Sequence, residues 1–134
     1  MKKFMIVLMS LAGFVTISCN SAAQPNTHPD EISSLQVIQF HSEHRCISCI
    51  KIEKLTRSTL AKHFPGVVFT LINVDEKKNE KMTEQFEATG TALFLYNPKT
   101  GKKKDLTPFA FMNVGNETKF DAELKKYIEE FLKS

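Results

Sequence analysis

Leu35-Gln36-Val37-Ile38-Gln39-Phe40-His41-Ser42-Glu43-His44-Arg45-Cys46-Ile47-Ser48-Cys49 is the stretch on which the fold turns. Its first half, with Leu35, Val37, Ile38 and Phe40 apolar, reads as a short strand. From Cys46 the period changes: Ile52, Leu55, Thr59 and Phe64 recur at helical spacing until Pro65-Gly66 stops the run. A Cys-x-x-Cys pair therefore lies at a strand-to-helix junction. Two thiols at that spacing can close a disulfide or hold a soft metal, so the junction points to redox or metal chemistry.

Outward from the junction, Val67 to Val74 is a continuous β-branched and aromatic run. It suits a strand buried on both faces and predicts a central or near-central position in a parallel sheet. A second helix is expected from Asp75 through Ala88, with Met82 and Phe86 as its inward stripe, broken at Thr89-Gly90. Leu93 to Tyr96 reads as a third strand, and Asn97-Pro98-Lys99-Thr100-Gly101 turns the chain into a fourth near Lys102 to Leu106. Lys102, Lys103 and Lys104 on that edge read as protection against edge pairing. Phe120, Leu124, Tyr127, Ile128 and Phe131 mark a closing helix, with Thr118 and Asp121 as an approximate capping box. The order strand, helix, strand, helix, strand, strand, helix predicts an α/β domain: a right-handed parallel unit, then an antiparallel hairpin, making a four-stranded mixed sheet with helices on both faces.

The amino end carries a different message. Lys2 and Lys3 precede an apolar run from Phe4 to Ile17, followed by small residues, which is the pattern of an export signal. That run is shorter than the roughly 20 residues a spanning helix needs. Thr16-Ile17-Ser18-Cys19 resembles a bacterial lipobox in which Cys19 becomes the lipidated first residue, while Ser21-Ala22-Ala23 suits ordinary signal cleavage. Lipidation is the favoured reading. The chain thus divides into an export signal of lipoprotein type (1–18), a flexible linker (19–34) holding Pro25 and Pro29, and a domain (35–134). The expected location is the periplasmic side of a bacterial membrane, held there by the lipid.

Removing residues 1–18 takes away two lysines and no acids, which lowers the formal charge of the 134-residue chain from +3 to +1. That near-neutral balance excludes nucleic acid as an expected partner. With Cys19 lipidated, Cys46 and Cys49 are the remaining thiols, so the chain is not a disulfide-stapled mini-protein. A bridge across two residues closes a very small loop and stabilises little, which leaves chemistry as the reason for the pair.

The element order with Cys-x-x-Cys opening the first helix resembles a thioredoxin-like fold in minimal form, over about Leu35 to Leu132. Within it, Phe40 to Cys49, Asn73-Val74-Asp75 and Gly90-Thr91-Ala92-Leu93 resemble the exported ArsF family, some of whose members are labelled nitrophenyl compound nitroreductase subunits. The resemblance implies a thiol-disulfide oxidoreductase of the cell envelope, hence an enzyme, with a redox-active disulfide and no other cofactor. Its partners are protein thiols and disulfides and an unidentified redox partner. Thioredoxins carry Trp before the first Cys and Gly-Pro between the two, where this chain has Arg45 and Ile47-Ser48. Their buried Asp, a proton relay, aligns with Gln39, and their cis-proline aligns with Thr91.

In this reading Cys46 is the exposed nucleophile and Cys49 the resolving thiol. Helix-terminal amides, Arg45 and a protonated His44 stabilise the Cys46 thiolate, while Ile47 desolvates it and works the other way. His41 and His44 are the candidate proton shuttles, and His44, Arg45, Ser48, Thr91 and His41 form the supporting set. The alternative is a carrier that binds copper, zinc or arsenite through His41, His44, Cys46 and Cys49, a two-His, two-Cys set. A further alternative is a non-catalytic subunit that keeps the fold. His28 and His63 read as surface residues.

Overall fold

The computed structural model describes residues 34–134. The export signal, Cys19 and all of the linker but Ser34 lie outside the described residues. Strand β1 (Gln36–His41) is the centre of the molecule, with its middle four residues buried. It pairs in parallel with β2 (Val68–Asn73), from Gln36 opposite Val68 to His41 opposite Asn73. On its other side it pairs antiparallel with β3 (Ala92–Tyr96), which pairs antiparallel with the short β4 (Lys103–Asp105). The four strands stand in the order β2-β1-β3-β4, giving the mixed α/β sheet expected.

Alternation along β1 sorts the core into two halves, because successive side chains leave opposite faces of a strand. Val37 joins Leu93 and Leu95 of β3 under α1 (Ile47–His63) and α4 (Glu117–Leu132), which contribute Ile52, Leu55 and Leu60, and Phe120, Leu124 and Ile128. Ile38 and Phe40 join Ile72 and Phe94 under α2 (Glu80–Phe86). On that face Phe86 sets its ring 5.3 Å from Phe40 and 5.1 Å from Phe94. Helices therefore cover both faces. Gln39 leaves β1 on the same side as Val37, and this brings its amide beneath α1.

Several elements differ from expectation. β2 is an edge strand, not a central one: Val68 is 53% exposed and only Ile72 is buried. A β-branched run favours extended backbone wherever it lies, but burial depends on neighbours: Phe69 packs only its inner side against the core and carries the Arg57 guanidinium 4.5 Å over its ring, while β1 is the single strand paired with β2. The second helix does not begin at Asp75. A 3-10 turn (Lys77–Asn79) precedes α2, and Asp75 instead donates its N–H to Asn73 Oδ1 and accepts Glu43 N–H on its carboxylate at 2.7 Å. α2 ends where Glu87 turns left-handed, at φ 53°.

A helix the sequence reading lacked, α3 (Thr107–Asn113), lies between β4 and the closing helix. Pro108 in its first turn is compatible with a helix start, and Phe109 packs 5.0 Å from Phe120. The cap of α4 is Asn116, whose side chain accepts Lys119 N–H at 3.0 Å, so the Thr118–Asp121 box is not formed. Asp121 turns instead to Lys62 and His63 at the end of α1, 2.8 and 3.0 Å away. His63 is accordingly half-buried and hydrogen-bonded through Nε2 to the Asp121 carboxylate, not a free surface residue. The three lysines of the β4 edge fold back over aromatic rings: Lys102 over Phe131, Lys103 over Phe86 and Lys104 over Tyr127. Among the described residues no helix is long and apolar enough to cross a membrane.

Candidate functional site

β1 ends at His41, and five residues, Ser42 to Cys46, carry the chain from the sheet to the start of α1. This loop is held from below by the Asp75 carboxylate on Glu43 N–H. It is held from within by Ser42 Oγ, which donates to the His44 carbonyl at 3.1 Å. Cys46 is the N-cap of α1, in extended backbone at φ −75° and ψ 159°, and its Sγ accepts the N–H of Cys49 at 3.2 Å. A capping sulfur takes the place usually held by a serine or aspartate oxygen, so one orphan amide of the helix already points at the first sulfur.

The two cysteines are joined, with an S–S distance of 2.06 Å and their Cα atoms 5.1 Å apart. Their environments are unequal. Cys46 is exposed, as are the flanking Ile47 and Ile50 at 86% and 52%. Cys49 is 4% exposed. The Gln39 amide, fully buried, donates to the Cys49 carbonyl at 2.9 Å, and Thr91 Oγ1 donates to Cys49 Sγ at 2.9 Å. Thr91 precedes β3 and is fixed there by the pairing of Ala92 with Phe40 and by Leu93 N–H on Thr107 Oγ1.

A disulfide bridge capping a helix at the carboxyl end of a central strand, with β3 antiparallel beside that strand and helices on both faces, decides the architecture. The fold is thioredoxin-like. No protein-family model matches the chain, and no curated protein does. Among solved structures it is similar to a malarial protein, at 16% identity and a TM-score of 0.43, over 60% of this chain and 92% of that one. It is also similar to thioredoxin f2 of Chlamydomonas reinhardtii, at 23% identity and a TM-score of 0.43, over 63% of this chain and 81% of the other.

The supporting residues divide. Thr91 reaches a sulfur. Arg45 does not act as a free charge beside Cys46: its guanidinium pairs with Glu53 at 2.7 Å, and Glu53 also accepts Arg57 Nε at 2.9 Å. Burial pushes the Glu53 carboxyl up, but hydrogen bonds and charge from Arg57 and Arg45 outweigh it and hold the group below its ordinary value. Glu53 stays ionised and neutralises much of the Arg45 field. His44 is exposed, and the His41 ring is engaged through Nδ1 with the Ser42 carbonyl at 2.9 Å. Ser48 is half-buried in the first turn.

The two-His, two-Cys set is likewise not gathered. Among the described residues no group of three or more His, Cys, Asp and Glu side chains is placed to hold a metal ion. Sequence reasoning missed two contributors, Glu53 and Asp75. Glu53 lies eight residues from Arg45, two turns apart, where the i,i+4 rule for helical pairs gives no signal. Asp75 is 32 residues from the amide it holds, and only the parallel register of β1 and β2 brings it there.

Proposed function

We propose that the chain is a thiol-disulfide oxidoreductase of the cell envelope that exchanges its Cys46–Cys49 bridge with the cysteines of a partner protein. The observation that carries the reading is the asymmetry of the bridge, one sulfur exposed at a helix amino terminus and the other 4% exposed one turn in. A partner thiolate attacks Cys46 Sγ, the S–S bond breaks, and its electron pair leaves on Cys49. A mixed disulfide through Cys46 results. A second partner thiolate then attacks the partner's sulfur in that mixed disulfide and releases Cys46 as a thiolate, so the partner is oxidised and the bridge reduced. In the opposite direction Cys46 attacks a partner disulfide and Cys49 resolves the adduct.

The backbone N–H on Cys46 Sγ and the helix dipole favour the thiolate in either direction. Ile47 and Ile50 beside Cys46 suit an apolar segment of a protein substrate. The envelope location rests on the Lys2 to Cys19 pattern, and the narrower likeness to the ArsF family rests on Phe40 to Cys49 and Gly90 to Leu93.

Trapping tests the exchange. With Cys49→Ser, the full chain expressed in a bacterial envelope accumulates mixed disulfides that run as larger species on non-reducing gels and collapse with dithiothreitol; Cys46→Ser abolishes them. The purified wild-type chain equilibrates with glutathione couples at a two-electron midpoint. Failure to equilibrate, together with absence of adducts in the Cys49→Ser chain, refutes the proposal.

A further inference from the structure

Opening the bridge at Cys46 places negative charge on Cys49 Sγ, in the least hydrated part of the site. Cys49 cannot supply its own stabilisation: its N–H is engaged with Cys46 Sγ, and its carbonyl with the Gln39 amide. At 4% exposure, water has little access to solvate the sulfur. A buried thiolate without a donor is raised in energy by desolvation, which slows its departure as a leaving group. Among the described residues the hydrogen-bond donor to this sulfur is Thr91 Oγ1, at 2.9 Å. The donor is in place before the charge forms, the arrangement in which a fixed dipole acts with least reorganisation.

We propose that Thr91 is a catalytic residue of the exchange, its hydroxyl stabilising the Cys49 thiolate that forms when the bridge opens and is consumed when it recloses. The inference rests on the exchange reading and goes beyond it by assigning the leaving-group step. The electron pair of the S–S bond goes to Cys49 Sγ, the new bond forms between Cys46 Sγ and the attacking sulfur, and the Thr91 proton stays on its oxygen throughout. What is reduced is the bridge, and what is oxidised is the attacking dithiol. The two sulfurs then have one donor each, a helix amide for Cys46 and a hydroxyl for Cys49.

The test uses the full chain carrying Cys19→Ala, so that the bridge holds the remaining thiols, with dithiothreitol as the attacking dithiol at neutral pH. Thr91→Val keeps the shape and removes the donor, and it is expected to slow bridge opening roughly tenfold. Thr91→Ser keeps the donor and is expected to open within about threefold of the parent, a rescue that a packing role for the methyl group does not give. Thr91→Ala repeats the comparison with Ser should the Val chain not fold. Equal rates for the parent and the donorless variants overturn the proposal, as do equally slow rates for Ser and the donorless variants. A parent chain that never equilibrates with glutathione overturns the exchange reading and this inference with it, whereas a parent that equilibrates beside an equally fast Val variant overturns the role of Thr91 alone.

Discussion

Reducing the Cys46–Cys49 bridge is expected to change the stability of the folded chain by no more than about 1 kcal/mol, a small effect for a disulfide. The bridge joins residues three apart and closes a loop of about four residues, for which loop-closure entropy gives about 2 kcal/mol in favour of the oxidised form. Against it stand two donors already aimed at the sulfurs, Cys49 N–H on Cys46 at 3.2 Å and Thr91 Oγ1 on Cys49 at 2.9 Å. Each already meets a disulfide sulfur, a weak acceptor, and strengthens by up to about 1 kcal/mol when that sulfur becomes a thiol or thiolate, so the pair offsets about 1 to 2 kcal/mol. The same difference fixes the redox poise of the site, because about 1.4 kcal/mol corresponds to about 30 mV for a two-electron couple. Urea unfolding of the Cys19→Ala chain, oxidised and then reduced at neutral pH, measures it directly. An oxidised form more stable by over about 3 kcal/mol refutes the reasoning. Folding would then clamp the bridge shut, and the pair would be a staple instead of an exchangeable couple.

Three further outcomes test the physical reading. The Lys62 hydrogen bond, followed by those of His63 and Thr59, holds the Asp121 carboxyl at about 2 against the opposing effect of burial. A carboxyl depressed in the folded state stabilises fully above its unfolded value near 3.8 and loses that contribution as pH falls toward 2. Asp121→Asn is therefore expected to cost about 1 to 2 kcal/mol at pH 7, allowing for solvent screening of a side chain 26% exposed, with the gap to wild type narrowing by pH 3; a gap independent of pH contradicts it. Asn116→Ala is expected to cost about 1 kcal/mol in urea unfolding and Thr118→Ala under about 0.5, and the reverse order would restore the Thr118 cap. Gln39→Glu places a carboxyl where the side chain is 0% exposed, so its folded pKa rises and the folded state binds the extra proton. Stability then falls as pH rises from about 4 to 8, by about 2 to 4 kcal/mol, and a flat profile would mean that water reaches the site.

How much of this was legible in the sequence follows from where each signal resides. Leu35 to Cys49 carried the central strand, the helix start and the bonded pair, because a change of hydrophobic period and a Cys spacing are both local. The Val67 to Val74 run fixed a strand but not its rank, since no local pattern states how many neighbours a strand has. Helix α3 spans seven residues, fewer than two full turns, and its inward residues Phe109, Ala110 and Asn113 are too few to show a period. The cap of α4 was misplaced by two residues because Thr118-x-x-Asp121 imitates a box. Asp121 has a stronger use in its ion pair with Lys62, 59 residues away in sequence, which no window along the chain contains. The Arg45 charge was visible, and its neutralisation by Glu53 was not, because Arg45 precedes the helix and lies eight residues from Glu53, outside the i,i+4 spacing that signals a helical pair.

The two departures from the thioredoxin pattern, Gln39 and Thr91, make physical sense together. Both side chains converge on Cys49, one on its carbonyl and one on its sulfur. A buried carboxylate at the first position can take a proton, and a proline at the second can do nothing for a thiolate except pack against it. An amide and a hydroxyl reverse the arrangement, since neither titrates near neutral pH and both donate. Among the described residues, the side chains that hydrogen-bond to Cys49 are thereby polar and uncharged. Thiolate stabilisation at the buried sulfur then depends on the fixed direction of one O–H bond, which is why the Val-versus-Ser comparison at Thr91 bears on the chemistry more directly than any change to His41 or His44.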